Sequence, residues 1–215
     1  MVCAYDPGAR ACWIGFRGTD SFRDVVADLG VRKARPLLGV SDGPGARAKV
    51  HAGFNAQYRG LAAHVLQFVD SVAERGAESV ELTGHSLGGA LATLAALHVA
   101  SARPALEVRC TAFGCPRVGD AAFAHAVISV TREVTRVTVG RDPVARVPTR
   151  ARWRHAGREL RLPPPRSGRA PPAAPAPRGD PLWRILDLPS LFSVGDHDMG
   201  GYVSAVTAAS DAWSS

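Results

Sequence analysis

Ser86 lies in the run Gly84-His85-Ser86-Leu87-Gly88, and that spacing fits one kind of chemistry. A serine hydroxyl attacks a carbonyl efficiently only when a base takes its proton and hydrogen-bond donors wait for the resulting oxyanion. Glycines two residues to either side permit a strand-to-helix turn so tight that side chains there would collide, and the turn lifts the serine oxygen clear of the backbone. Alone, the five-residue pattern is a common accident in a chain with 22 glycines among 215 residues. Its setting gives it weight: the apolar stretch Ser79 to Thr83 precedes it, and an Ala/Leu-rich stretch follows. The Leu87 amide is expected to face the place where the oxyanion forms, because the first amides of a helix have no intrahelical acceptor.

The base must be a histidine oriented by a carboxylate, and in folds built on this elbow the chain order is serine, acid, histidine. Of the histidines that follow Ser86, His98 lies inside the Ala/Leu-rich run, and His125, His155 and His197 are the candidate bases. His125 falls on an expected helix and His155 in the strand-like run Trp153 to Leu162, where structural roles fit better. His197 sits in the polar run Gly195-Asp196-His197-Asp198 ahead of a final helix and is the favoured base. Asp142 is the favoured acid, since it follows the apolar run Val134 to Val139 and stands at a strand's carboxyl end, where sites on open α/β sheets assemble. Asp120, Asp187, Asp196 and Asp198 compete. Asp120 also suits a helix cap, and Asp196 and Asp198 are too near His197 in sequence to orient it easily. Arg17-Gly18-Thr19 is a candidate for the second oxyanion donor, with Gly18 to turn the chain and Thr19 to offer its amide and hydroxyl.

Positioning these residues takes an alternation of strands and helices. Val2 to Tyr5 and Ala11 to Phe16 flank the turn signal Asp6-Pro7-Gly8-Ala9 and read as a hairpin. Phe54, Tyr58, Leu61, Val65, Phe68 and Val72 recur at helical spacing, so a long helix is expected from about Asn55 to Glu74. After the strand at Ser79 and the helix ending before Pro104 come a strand at Val108 to Phe113, a helix over about Asp120 to Val130, and a strand at Val134 to Val139. Such alternation predicts an α/β fold with a mostly parallel central sheet and helices on both faces. Phe22, Val25, Val26 and Leu29 form the apolar stripe of a short amphipathic helix whose other face carries Arg23, Asp24 and Asp28. Leu38 to Ala48 reads as a surface loop. Pro163 to Pro181 is a proline-rich extended insertion, and a closing helix is expected from about Gly200 to Trp213. Residues 1–215 are expected to form a single domain carrying 163–181 as an insertion loop.

A chain that is 46% hydrophobic and 21% charged can build one substantial core. Its longest apolar candidate, Leu87 to Ala100, is too short to span a bilayer and reads as a buried helix. Met1 to Asp6 shows no basic stretch leading into an apolar one, from which a cytoplasmic or intracellular location is expected. The net charge of +7 comes almost wholly from arginine, since Lys33 and Lys49 are the only lysines. Those arginines are scattered, without an aromatic-interleaved basic stripe, so no nucleic-acid partner is expected. Cys3, Cys12, Cys110 and Cys115 lack metal-ligand spacing, and neither metal nor cofactor is expected. Across a hairpin turning at Asp6-Pro7-Gly8-Ala9, Cys3 and Cys12 would sit opposite one another, where a disulfide is conceivable, although buried free thiols suit an intracellular chain better.

Several ordered blocks together resemble the class 3 (fungal-type) triacylglycerol lipase family of the α/β-hydrolase superfamily. They are Phe16-Arg17-Gly18-Thr19, Val50-His51-Ala52-Gly53-Phe54, Thr83-Gly84-His85-Ser86-Leu87-Gly88-Gly89-Ala90, Phe113-Gly114-Cys115-Pro116-Arg117-Val118-Gly119, Asp142-Pro143-Val144, and Asp196-His197 with Tyr202 beyond. The resemblance implies Ser86, Asp142 and His197 as a triad, Thr19 and Leu87 as the oxyanion hole, and His85 as packing at the elbow. It implies that Ser21 to about Val31 is a small amphipathic lid opening at a lipid surface, with transient contact with a membrane or lipid droplet. The implied substrates are lipid esters, triacylglycerol or related acylglycerols. Rival readings are a phospholipase A1 or soluble esterase on the same triad, or a non-catalytic lipase-like interaction protein. Three departures stand out. The chain begins inside the first hairpin, where members carry an extra helix and strand; Val25 stands where lids often carry tryptophan; and the proline-rich insertion lies between Asp142 and His197.

Overall fold

The computed structural model describes residues 1–18, 33–34, 47–148, 152–163, 201–203, 205–207 and 210. Thr19, the amphipathic segment 21–31, most of the loop 38–48, the insertion beyond 163, Asp187 and the run 195–198 with His197 lie outside the described residues.

The hairpin forms as β1 (Val2–Asp6) and β2 (Ala11–Phe16). Asp6 organises its turn, Oδ1 accepting from the Gly8 and Ala9 amides at 2.9 and 3.2 Å, as aspartates at turn starts do. The four-residue turn pairs Asp6 with Ala11, so Tyr5 faces Cys12 and Cys3 faces Ile14. Cys3 and Cys12 are therefore two residues out of register and not opposite one another, and all four cysteines are free thiols.

Two short strands, β3 (Lys33–Ala34) and β4 (Val50–His51), pair with each other. The main sheet adds β5 (Ser79–His85), β6 (Glu107–Phe113), β7 (Glu133–Val139) and β8 (Arg158–Leu162) to the hairpin, in the order β1-β2-β5-β6-β7-β8. All its pairings are parallel except β1 with β2. Each parallel crossover carries the chain back over the sheet and leaves the next strand's carboxyl end on the same edge.

Three helices cover one face: α1 (Ala52–Ala73), α2 (Leu87–Ala102) and α3 (Ala121–Val130). α1 buries Phe54, Tyr58, Val65 and Val72 of the predicted stripe, while Leu61 and Phe68 are half-buried and Val69 joins the buried face. α2 is buried on every side from Leu87 to Ala100, packed against α1, α3 and strands β2, β5 and β6. That explains an apolar run without a charged residue: it has no water-facing side. Among the described residues no helix is long and apolar enough to cross a membrane. Val80, Leu82, Val108 and Cys110 face these helices, whereas Phe113, Val137 and Leu162 face the other way and meet Tyr202 and Ala205, in the helical residues 201–203 and 205–207. Side chains of successive strand residues alternate between faces, so the sheet is covered on both.

Candidate active site

Ser86 joins β5 to α2 with φ 58° and ψ −120°, in the left-handed half of the map that non-glycine residues avoid. The neighbours explain why it is held there. A Cβ on Gly88 would lie 2.1 Å from the Phe16 carbonyl oxygen, and one on Gly84 would lie 2.3 Å from the Gly88 carbonyl carbon. The ends of β2 and β5 and the start of α2 thus meet backbone to backbone. Ser86 N–H donates to the Phe113 carbonyl at 2.8 Å, and its own carbonyl accepts from Ala90 N–H at 3.2 Å. Ser86 is only 4% exposed, and its Oγ has no hydrogen-bond partner among the described residues. Buried hydroxyls are ordinarily paired. Leu87 is the first residue of α2, so its amide belongs to the set without an intrahelical acceptor. The chain leading to Thr19 runs past the serine: a Cβ on Gly18 would sit 3.2 Å from the His85 carbonyl and 4.0 Å from Ser86 Cβ.

Asp142 follows β7 on the same edge of the sheet. Its Oδ1 accepts from the Val144 amide at 2.8 Å, and its Oδ2 accepts from the Tyr202 hydroxyl. The Tyr202 oxygen also lies 3.4 Å from the Val139 amide as an acceptor. Burial and the adjacent Asp142 carboxylate push the Tyr202 phenol far above its ordinary range, so it stays a donor. Gly114, at φ 54°, makes room for this cluster: a Cβ there would stand 2.9 Å from Asp142 Oδ2, 2.9 Å from the Tyr202 oxygen and 3.1 Å from His85 Nε2. The His85 ring packs edge-on to Tyr202, centroids 5.2 Å apart. Arg117 ties the loop after β6 to the Asp142 loop, its Nη1 donating to the Arg146 and Pro148 carbonyls and its amide to the Val147 carbonyl at 2.8 Å.

The competing residues have other tasks. Asp120 caps α3, accepting from the Phe123 amide at 3.0 Å. His125 is exposed on α3. His155 Nε2 is 2.8 Å from the Ala145 carbonyl, and burial, then the charge of Arg136, depress it to about 4. It is therefore neutral and donates that bond. Two residues matter more than their types suggest. Tyr202 and Gly114 sit in sequence blocks, but neither residue type signals a neighbour of the acid. Only the approach of the helical residues 201–203 and 205–207 to β6 and β7 brings them to Asp142. Among the described residues no cluster of histidines, cysteines and carboxylates could hold a metal ion.

Residues 13–151, more than half the chain, match the family model described as Lipase (class 3). The chain belongs to the class 3 lipase family. A Rhizomucor miehei protein named "Lipase" is 36% identical over 155 residues, covering 70% of this chain and 41% of the relative. A Gibberella zeae protein named "Secreted mono- and diacylglycerol lipase 2" is 32% identical, covering 70% of this chain and 43% of its own length. The solved Rhizomucor miehei lipase propeptide complex superposes with a TM-score of 0.65 at 34% identity, over 74% of this chain and 51% of that one. The fold of this family member is the α/β-hydrolase fold. The chain spans less than half the length of these two curated relatives. The cytoplasmic or intracellular location expected from residues 1–6 does not stand, because relatives are named as secreted lipases, which points outside the cell.

Proposed function

We propose that this class 3 lipase is a serine carboxylic-ester hydrolase acting on acylglycerols through Ser86, His197 and Asp142. The observation that carries the reading is Ser86 itself, strained at the head of α2 with a buried oxygen that no described residue satisfies. Its missing partner is supplied by His197. That histidine takes the Oγ proton as Oγ attacks the ester carbonyl carbon, and the tetrahedral oxyanion accepts hydrogen bonds from the Leu87 and Thr19 amides. Collapse breaks the ester C–O bond while His197 protonates the departing alcohol. Water then adds to the acyl carbon, giving its proton to His197, and Ser86 leaves with that proton as the fatty acid is released. Asp142 orients the imidazole and stabilises its charged form, and Tyr202 is a positioning residue acting through Asp142.

Residues 21–31 act as the lid over this site, and residues 1–215 act as one domain with 163–181 as its insertion. The relatives' names support lipid esters as substrates and an extracellular setting. A fluorophosphonate probe tests the nucleophile. Folded wild-type protein should label and Ser86→Ala should not, with labelling of His197→Ala slowed at least about a thousandfold. If folded wild type stays unlabelled, or Ser86→Ala labels equally, the hydrolase reading is lost. Rates measured below and above substrate micelle formation test the lid: a jump supports it, and smooth saturation argues for a soluble-ester enzyme.

A further inference from the structure

His85 is the last residue of β5 and the chain neighbour of Ser86. Val80 and Leu82 of that strand face the helices, and His85, out of step with both, sends its side chain off the opposite face. Its register partner is Phe113, which faces the same way. There the His85 ring meets Tyr202, centroids 5.2 Å apart and planes at 67°. Both residues are buried, His85 at 8% exposure and Tyr202 at 6%. The Tyr202 hydroxyl in turn donates to Asp142 Oδ2. The missing side chain of Gly114 gives all three their room: His85 Nε2, Asp142 Oδ2 and the Tyr202 oxygen each stand within 3.1 Å of the point a Cβ would occupy. A line of side-chain contact thus runs from the strand that carries the nucleophile, past the end of β6, to the acid loop.

We propose that His85 is a positioning residue for the acid, its ring holding the Tyr202 phenol against Asp142. A phenol oxygen goes where its ring is placed, and a group that must reach one carboxylate oxygen works only if packing locks that ring. Phe113, Val137 and Leu162 pack with Tyr202 on this face, but apolar burial carries no direction. An aromatic ring met at an angle does, because the negative face of one ring and the positive edge of the other prefer a tilted arrangement. His85 supplies that directional contact from the residue beside the nucleophile, so the strand that places Ser86 also sets the aim of the group that holds Asp142. This role rests on Asp142 being the acid of a Ser86 hydrolase.

The test is steady-state ester hydrolysis by the whole chain, comparing wild type with His85→Ala, His85→Phe, Tyr202→Phe and the double variant His85→Ala with Tyr202→Phe, each well below its Tm. His85→Ala should lower kcat by about twofold to tenfold, the span that one aromatic pair allows, with KM nearly unchanged. His85→Phe keeps a ring in place and should recover most of that loss. Because His85 acts through the phenol hydroxyl, the double variant should be no slower than Tyr202→Phe alone, a non-additivity that two independent losses would not show. Unchanged kcat in His85→Ala, a His85→Phe variant as slow as His85→Ala, or losses that multiply in the double variant each overturn the proposal. If His85→Ala does not fold, His85→Leu, which fills the space without a ring, takes its place with the same expectations. Fluorophosphonate labelling of the same samples separates this role from the reading beneath it. Folded wild type that neither labels nor turns over ends the hydrolase reading and the role of His85 with it. Labelled, active wild type with any of the three contrary results ends the role of His85 alone.

Discussion

Replacing Ser86 by glycine and, separately, by alanine isolates the strain at the elbow. Both variants lack Oγ and both should be inactive, so their difference in stability carries no contribution from the hydroxyl. Alanine keeps a Cβ at φ 58°, ψ −120°, and a non-glycine residue held in such a sparsely populated region costs about 1–3 kcal/mol. Glycine removes that cost but adds freedom to the unfolded chain, about 0.4–1 kcal/mol in the other direction. The expected outcome is that Ser86→Gly is more stable than Ser86→Ala by about 0.5–2 kcal/mol, which for a chain of this size is a rise in Tm of roughly 1–8 °C. Urea denaturation followed by tryptophan fluorescence measures the difference, provided the two m-values agree. An alanine variant as stable as the glycine variant, or more so, would refute the view that the fold holds Ser86 against its backbone preference.

Tyr202→Phe removes a hydrogen bond to the Asp142 carboxylate, a kind worth about 1.5–3 kcal/mol. Ester-hydrolysis kcat should fall roughly tenfold or more while KM changes little, and a variant losing only Tm with kcat intact would make Tyr202 merely structural. Gly114→Ala puts a Cβ 2.9 Å from both Asp142 Oδ2 and the Tyr202 oxygen, so it should lower both stability and kcat; unchanged kcat with full folding would contradict the clustering. Stability should also fall in acid. Burial lowers His51 and His98, the latter helped by Arg103, and burial with Arg136 takes His155 to about 4. The folded state therefore binds fewer protons than the unfolded state, so this stability is whole above pH about 6.5 and is lost as pH falls from there toward 4, with about 3 kcal/mol from His155. Urea midpoints across that range should decline, and His155→Gln should flatten the decline; a rise toward acid would reverse the sign.

The periodic features of the fold are legible in the sequence. The stripe of α1, the apolar strands β5, β6 and β7 and the alternation that makes the sheet parallel all follow from side chains repeating at the spacing of one buried face. The elbow is legible for a different reason, since Gly84 and Gly88 record a backbone contact that excludes any Cβ. Asp120 as a cap follows from residue type and position. What the sequence hides is register and long-range meeting. Cys3 and Cys12 are read as facing because a hairpin turn gives no warning that four residues, Pro7 to Arg10, will close it. Tyr202 reaches Asp142 across 60 residues, and Arg136 and Arg161, which look scattered along the chain, leave adjacent strands toward the same face.

The Gly114 position, where β6 ends between the strands that carry Ser86 and Asp142, ties the site to the order of folding. No local segment contains it: the serine turn, the glycine gap and the acid loop belong to three strands that must each find a parallel neighbour through a long crossover, the slow kind of contact. A slip of β7 by one residue would turn Arg136 toward the cluster of Phe113 and Leu162 and draw Val137 away from it. Ester turnover during refolding would then be among the last signals to return, lagging helix formation, and its recovery would time the moment at which β5, β6 and β7 lock into register.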